Sequence, residues 1–160
     1  MKFQNKLSVI IRCKNEERWI GHCIQSVIES LKKPEIIIVD NKSEDETISI
    51  IKSFKEDPKL NNNKKTNYTK IKILSIDDYS PGKAINLGVR NAKNPLILVI
   101  SAHCVLKKIN LKKHFKDLKK YKCIFGNQIP IWKGKKITKR YIWSHFIEKE
   151  TVNMYSDLED

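Results

Sequence analysis

The stretch Leu96-Ile97-Leu98-Val99-Ile100-Ser101-Ala102-His103-Cys104 decides how the chain is interpreted. Its first five residues are apolar and follow Asn94-Pro95, which predicts a strand buried on both faces of a sheet. The strand then ends in polar residues. Ligands of open α/β sheets bind outside the carboxyl ends of the strands, so His103 stands where chemistry is expected. The alternative is a histidine that only completes hydrogen bonds at a strand end.

Three earlier segments of strand length alternate with helical patterns. The strands are predicted at 7–13, 35–40 and 71–76. Helices are predicted to begin at Asn15 as an N-cap, at a capping box formed by Ser43 and Glu46, and at Ser80-Pro81. The resulting βαβαβαβ order predicts an α/β fold with a mostly parallel sheet covered by helices on both faces.

The remaining segments are less regular. Small residues such as Ala84 and Gly88 are expected to let the third helix approach the sheet closely. Residues 57–69 are polar and predict an exposed loop. After His103 we expect a lysine-rich helix capped by Asn110, a further strand at 123–129 and a last helix at 138–150.

The bulk composition fits a single globular domain. The chain has 160 residues, of which 40% are hydrophobic and 31% charged, enough for a real core. No apolar run is long enough to predict a membrane-spanning helix. The first six residues lack the apolar segment of a secretory signal.

The charge and the cysteines restrict the partners and the compartment. A formal net charge of +14 predicts attraction to nucleic acids, acidic lipids or phosphorylated substrates, without choosing among them. Many of the lysines fall within 107–120, and such a run is more often a solvated face. The 4 cysteines show no Cys-x-x-Cys spacing. This pattern disfavours a zinc ribbon or redox pair and fits buried thiols in a reducing cytoplasm.

Polar clusters follow three of the strands, at 12–16, 40–43 and 101–103. The carboxyl ends of parallel strands lie at one edge of a sheet, so these clusters are expected to meet. Burying the carboxylate of Asp40 at the end of an apolar strand costs free energy unless it is paired or faces a ligand. Asp40 is therefore predicted to contact a ligand, or alternatively to order the following turn by accepting backbone hydrogen bonds. Lys83, at the start of a helix, suits a phosphate, or is an ordinary surface lysine. Glycine-rich nucleotide loops and a Gly-x-Ser-x-Gly elbow are missing.

The segments 7–17, 36–47 and 82–88 together closely resemble the GT-A glycosyltransferases of family 2. The resemblance covers residues 7–104 and implies a GT-A fold that binds a nucleotide-sugar donor. It implies a single GT-A-like domain over 1–160, with a donor half at 7–104 and a partial acceptor-side region at 105–160. The chain is expected to stop before the acceptor half is complete.

The resemblance also implies which residues form the donor site. They are Arg12, Cys13, Lys14, Asn15 and Glu16 around the nucleobase, Asp40 on the base or ribose, Lys83 near the diphosphate, and Ser101, Ala102 and His103. Such enzymes usually end the fourth strand in Asp-x-Asp, which holds ribose and Mn²⁺ or Mg²⁺. Here Ser101 replaces the first acid and puts the ribose contact in doubt. His103 is the implied ligand of the divalent metal, and imidazole suits a transition metal better than Mg²⁺.

The implied activity is the transfer of a sugar from a nucleotide-diphosphate sugar to a glycan or lipid-linked acceptor in cell-surface polysaccharide synthesis. A UDP-sugar is the favoured donor. No general base is assigned, so the catalytic residue is unknown. The implied location is cytoplasmic, with the basic helix resting on the inner face of the membrane, and a homo-oligomer is left open.

Two other functions remain as alternatives. One is a nucleotide-sugar-binding module without catalysis. The other is a basic nucleic-acid-binding protein; it is less favoured, because the chain lacks an aromatic RNA-binding motif and a helix-turn-helix signature. Specific nucleic-acid binding is therefore not expected.

Overall fold

The computed structural model describes residues 7–56, 70–107 and 109–136. In chain order the elements are β1 (Leu7–Cys13), α1 (Ile20–Ser30), β2 (Glu35–Asp40), α2 (Thr47–Glu56), β3 (Lys70–Ser75), α3 (Pro81–Arg90), β4 (Leu96–Ser101), α4 (Leu111–Asp117), β5 (Ile131–Trp132) and β6 (Lys135–Lys136). The chain divides into two compact units, Met1–Phe115 and Lys116–Asp160. The loop predicted at 57–69 and the helix predicted at 138–150 lie outside the described residues.

The first unit contains a four-stranded sheet in the order β3-β2-β1-β4. Every neighbouring pair in it is parallel. The two inner strands, β1 and β2, consist almost entirely of buried residues. The predicted α/β class and parallel sheet are therefore confirmed.

The prediction that residues 96–100 form a strand buried on both faces was wrong. β4 lies at an edge of this sheet and is only partly buried, and Val99 remains 43% exposed. Helix α3 packs mainly on β1 and β2. A run of β-branched residues thus specifies a strand but does not specify its place in the sheet.

Two apolar layers cover the sheet. Helices α1 and α2 pack on one face, where Val9, Ile11 and Ile36 are fully buried. The other face holds Ile10 and Ile37 beneath Ala84 of α3. Small residues do allow close approach here, because an added Cβ at Gly88 would lie 2.6 Å from Cγ2 of Ile10.

Two of the three predicted helix starts were wrong. Trp19, not Asn15, is the N-cap of α1, and it caps without its side chain. The capping box of Ser43 and Glu46 does not form, because the Glu46 N–H donates to the carboxylate of Glu17. Both polar residues are instead drawn into contacts between neighbouring loops.

The third helix start is confirmed. Ser80 caps α3 by accepting a hydrogen bond from the backbone N–H of Lys83, and Pro81 occupies the first turn. Both features pre-organise the helix, since proline lacks the N–H that would be unpaired there.

The chain after β4 agrees only in part with expectation. Asn110 caps α4, accepting from the backbone N–H of Lys113 at 3.1 Å. The strand predicted at 123–129 was wrong, as these residues form no strand, and the pairing described in this unit joins β5 to β6. Among the residues described, no helix has the length and apolarity needed to cross a membrane.

Candidate functional site

The carboxyl ends of β1, β2 and β4 meet at one edge of the sheet. Cys13 lies opposite Asp40, and Arg12 lies opposite Ser101. The three polar clusters predicted to meet are therefore brought together by strand register alone.

The loop after β1 is hydrogen-bonded to the loop after β2. Three consecutive backbone N–H groups, those of Asn15, Glu16 and Glu17, donate to side chains of the second loop and of the first residue of α2. Their acceptors are Oγ of Ser43 at 2.9 Å, Oγ1 of Thr47 at 2.7 Å and Oδ2 of Asp45 at 3.0 Å. This network fixes the path of the backbone beside the strand ends.

Hydrogen bonds also run in the opposite direction. The side chain of Asn15 accepts from the N–H of Glu44 at 2.9 Å, and that of Glu17 accepts from the N–H of Glu46 at 3.2 Å. Asn15 adopts a positive φ of 50°, which is uncommon for a residue other than glycine and is tolerated best by asparagine. Asn15 is thus a bridge between the loops rather than a helix cap.

Asp40 is a buried carboxylate whose oxygens are used within the protein. It is 4% exposed and accepts from the N–H and the hydroxyl of Ser43, at 3.0 and 2.5 Å. The thiol of Cys13 lies 3.5 Å from Oδ1. These contacts are those of the turn-ordering alternative, and they explain how a carboxylate is tolerated at this depth.

Two site residues contribute little side-chain surface. Burial, followed by the nearby carboxylate of Asp40, raises the pKa of the Cys13 thiol well above its ordinary range. Cys13 therefore stays protonated at neutral pH and is a poor nucleophile. The side chain of Ala102 is 1% exposed and packs into the core.

Glu16 and His103 join the end of β1 to the end of β4. Nδ1 of His103 lies 3.0 Å from Oε1 of Glu16. The histidine side chain is 61% exposed, whereas that of the glutamate is only 21% exposed. An accessible imidazole is thus anchored by a mostly covered carboxylate.

The cationic side chains of the edge are engaged with the segment between β3 and α3. Lys83 pairs with Asp78, and Lys42 pairs with Asp77 at 2.8 Å, which lowers the pKa of Asp77. Arg12 donates to the hydroxyl of Tyr79 at 3.1 Å. Lys14, also predicted for the site, is exposed.

Sequence reasoning missed several of these residues. Asp77, Asp78 and Tyr79 follow the third strand and directly precede the helix start at Ser80-Pro81. The rule that selected the other three clusters, polar residues after a parallel strand, would have selected this one as well.

The described ranges contain no group of three or more histidine, cysteine, aspartate or glutamate side chains that could hold a metal ion. Near the edge the protein offers the imidazole of His103 and the carboxylate of Glu16. Such a set suits a cation that takes its other ligands from a bound diphosphate and water, rather than one held by protein alone.

The chain is similar in sequence to known glycosyltransferases. The profile of the family described as "Glycosyl transferase family 2" matches residues 8–158. Over 121 residues the chain is 29% identical to a dolichyl N-acetyl-alpha-D-glucosaminyl phosphate 3-beta-D-2,3-diacetamido-2,3-dideoxy-beta-D-glucuronosyltransferase of Methanococcus voltae, covering 74% of this chain and 35% of that protein. Over 137 residues it is 26% identical to the poly(ribitol-phosphate) beta-N-acetylglucosaminyltransferase TarS of Staphylococcus aureus, covering 78% and 22%.

Solved structures show the same fold. TarS residues 1–349 in complex with UDP superpose with a TM-score of 0.57 at 22% identity, covering 72% of this chain and 32% of that one. The mannosyltransferase PcManGT of Pyrobaculum calidifontis, in complex with GDP-Man and Mn²⁺, gives a TM-score of 0.51 at 20% identity, covering 61% and 27%. The chain spans about a third or less of the length of the relatives it matches. The expected GT-A fold is confirmed.

Proposed function

The chain belongs to glycosyl transferase family 2, and from this membership we propose that its carboxyl edge binds a nucleotide-diphosphate sugar and transfers the sugar to an acceptor. One observation carries the proposal: Arg12, Asp40 and the Glu16–His103 pair come together at the edge where ligands of parallel sheets bind. The structures of similar proteins with UDP and with GDP-Man support a nucleotide donor.

In this proposal the nucleoside lies over the ends of β1 and β2. Cys13 and Lys14 contribute mainly backbone, while Asn15 and Arg12 supply polar atoms near the base. Asp40 acts mainly by ordering the loop beside the base or ribose, because only 4% of the residue is exposed for direct contact. The network between the two loops supports this role, since a pre-organised loop loses little entropy on binding.

The diphosphate lies between Lys83 and His103, with Ser101 and Ala102 bordering it. The ammonium of Lys83 leaves Asp78 and binds the phosphate. Breaking this ion pair costs little free energy because both side chains are exposed to solvent. His103 is the protein ligand for a divalent cation, Mn²⁺ in preference to Mg²⁺. When bound, such a cation neutralises the charge that develops on the departing nucleotide diphosphate.

The transfer breaks the bond between the anomeric carbon and the diphosphate oxygen. The oxygen of the acceptor hydroxyl forms the new bond to that carbon, and the hydroxyl proton passes to a general base that we do not assign. The electron pair of the broken bond leaves with the nucleotide, where Lys83 stabilises it. We propose a glycan or lipid-linked acceptor of cell-surface polysaccharide synthesis and a UDP-sugar donor, following the names of the relatives.

A nucleotide-sugar-binding module without turnover is the second candidate. It is favoured by the carboxylates at the edge, because Asp40 accepts from Ser43 and Glu16 contacts His103. Both carboxylates thus already have partners within the protein. Donor hydrolysis or transfer with Mn²⁺ separates the two candidates, since a pure binding module gives neither.

The donor site is tested by thermal shift with UDP, GDP and UDP-sugars, each with and without Mn²⁺. A ligand that binds only the folded protein raises its melting temperature by mass action. We expect a shift with a nucleotide diphosphate that grows with Mn²⁺ and loses the Mn²⁺-dependent part in His103→Ala. His22→Ala is the matched control, because His22 is another exposed histidine, whose ring lies beside that of Trp19 and not beside Glu16. The absence of any shift contradicts the proposal.

We also propose peripheral contact with an anionic membrane in the cytoplasm. Its support is the exposure of Lys112, Lys116, Lys119 and Lys120 in and after α4. Basic side chains near an anionic surface each contribute about 1 kcal/mol of attraction.

A further inference from the structure

His103 and Glu16 are held in a defined relation that restricts the chemistry of the imidazole. Nδ1 of His103 lies 3.0 Å from Oε1 of Glu16. An ionised carboxylate only accepts hydrogen bonds, so the contact requires a proton on Nδ1. In the neutral ring the other nitrogen, Nε2, then carries the lone pair.

The position of Glu16 is itself fixed. Its N–H donates to Oγ1 of Thr47 at 2.7 Å, and Thr47 is fully buried. Its carbonyl oxygen accepts from the N–H groups of Trp19 and Ile20, both at 2.9 Å. The backbone of Glu16 cannot rotate without breaking three hydrogen bonds.

We propose that Glu16 is a positioning residue that keeps His103 in the Nδ1–H tautomer and directs Nε2 towards the ligand. A carboxylate that accepts from the second nitrogen of a histidine raises the basicity of the ligating nitrogen and fixes the ring. The role of Nε2 as ligand to a divalent cation on a diphosphate rests on the proposed function. The tautomer itself does not.

An exposed ion pair between imidazolium and glutamate is the competing description. Such pairs contribute little and tolerate many geometries. Here the glutamate side chain is only 21% exposed and its backbone is anchored on both sides. These features are those of a carboxylate whose position is fixed by the surrounding fold and does not depend on the contact with His103.

The tautomer is measured by two-bond ¹H–¹⁵N correlation on ¹⁵N-histidine-labelled protein at about pH 8.5, above the ordinary imidazole pKa. His103→Gln identifies the signals of His103 by their loss. We expect the Nδ1–H pattern in the native chain, its loss in Glu16→Ala and its retention in Glu16→Gln, which keeps an acceptor oxygen. Glu17→Ala is the matched control, since it removes a neighbouring carboxylate that contacts Glu46 instead.

A second measurement tests the consequence for the metal. Electron paramagnetic resonance titration of free Mn²⁺ against protein saturated with UDP should show about 10- to 100-fold weaker binding in Glu16→Ala than in Glu17→Ala. Equal Mn²⁺ binding by these two variants, or an Nε2–H tautomer in the native chain, overturns the inference. If UDP fails to bind while the Nδ1–H tautomer and its response to Glu16→Ala are found, the proposed function fails and the positioning contact stands.

Discussion

Replacement of Gly88 by alanine should destabilise the protein even though alanine is the better helix former. The new Cβ would lie 2.6 Å from Cγ2 of Ile10, closer than real Cβ contacts, and Ile10 is fully buried in the sheet. Overpacking of this kind costs about 1–3 kcal/mol. The helix propensity of alanine returns about 1 kcal/mol. We expect a net fall of up to about 2 kcal/mol in the free energy of unfolding relative to the native chain, measured by urea denaturation followed by circular dichroism.

Gly82→Ala is the matched control, because Gly82 lies on the same helix and an added Cβ there meets nothing within 4 Å. This variant should unfold at an equal or higher urea concentration than the native chain. Ile10→Leu removes the methyl group at Cγ2 and should relieve the Gly88→Ala variant, whereas Ile10→Val keeps that methyl and should not. A Gly88→Ala protein as stable as Gly82→Ala would refute the close packing of α3 on β1.

Four further predictions concern the helix cap, the thiol of Cys23 and the basic helix. Ser80→Ala removes the acceptor for the N–H of Lys83 and should cost about 1 kcal/mol in the same denaturation assay, whereas Ser80→Asp should retain most of the stability. Burial raises the pKa of Cys23 from 9.0 to about 12, so iodoacetamide at pH 8 should label the exposed Cys123 and spare Cys23, as mass spectrometry can show. Because the native Cys23 thiol keeps a proton that the unfolded chain releases, the free energy of unfolding should fall as the pH rises from about 9 to about 12. Lys112→Glu combined with Lys116→Glu should reduce sedimentation with phosphatidylglycerol vesicles without creating binding to phosphatidylcholine vesicles, and unchanged sedimentation would contradict the membrane proposal.

The sheet and the meeting of its polar clusters could be predicted because both follow from local patterns. Apolar runs of strand length alternating with helical patterns specify parallel strands, and parallel strands place Asp40 and Cys13 at the same edge. The exposure of β4 could not be predicted, because it depends on which strands α3 covers. That choice is made by packing between α3 and Ile10, which no periodicity reveals.

The errors at the helix starts have a common physical cause. Asn15, Ser43 and Glu46 are residues that cap helices in general, because their polar side chains satisfy free N–H groups. In this fold two loops lie side by side, so the side chains of Asn15 and Ser43 accept from backbone N–H groups of the opposite loop. The side chain of Glu46 accepts from the hydroxyl of Ser49 in α2, and it is the backbone N–H of Glu46 that bonds across, to Glu17. Local sequence identifies a polar group seeking a partner, but the tertiary fold decides which partner it obtains.

The residues that order the loops of the site differ from those proposed to contact a ligand. Within the segments that resemble the family, six side chains accept hydrogen bonds that order or join the two loops: Asn15, Glu17, Asp40, Ser43, Asp45 and Thr47. At Ser101, where the resemblance leads one to expect an acid, the backbone carbonyl accepts from the N–H of Cys104 at 2.9 Å and from the thiol of Cys23 at 3.7 Å. An acid-to-serine change there alters what the edge offers a ligand without disturbing the loop network. The family profile matches across this scaffold, whereas the activity we propose depends on fewer atoms, chiefly the imidazole of His103 and the ammonium of Lys83. Measurements at those two residues, rather than further comparison of the motif, distinguish a transferase from a binding module.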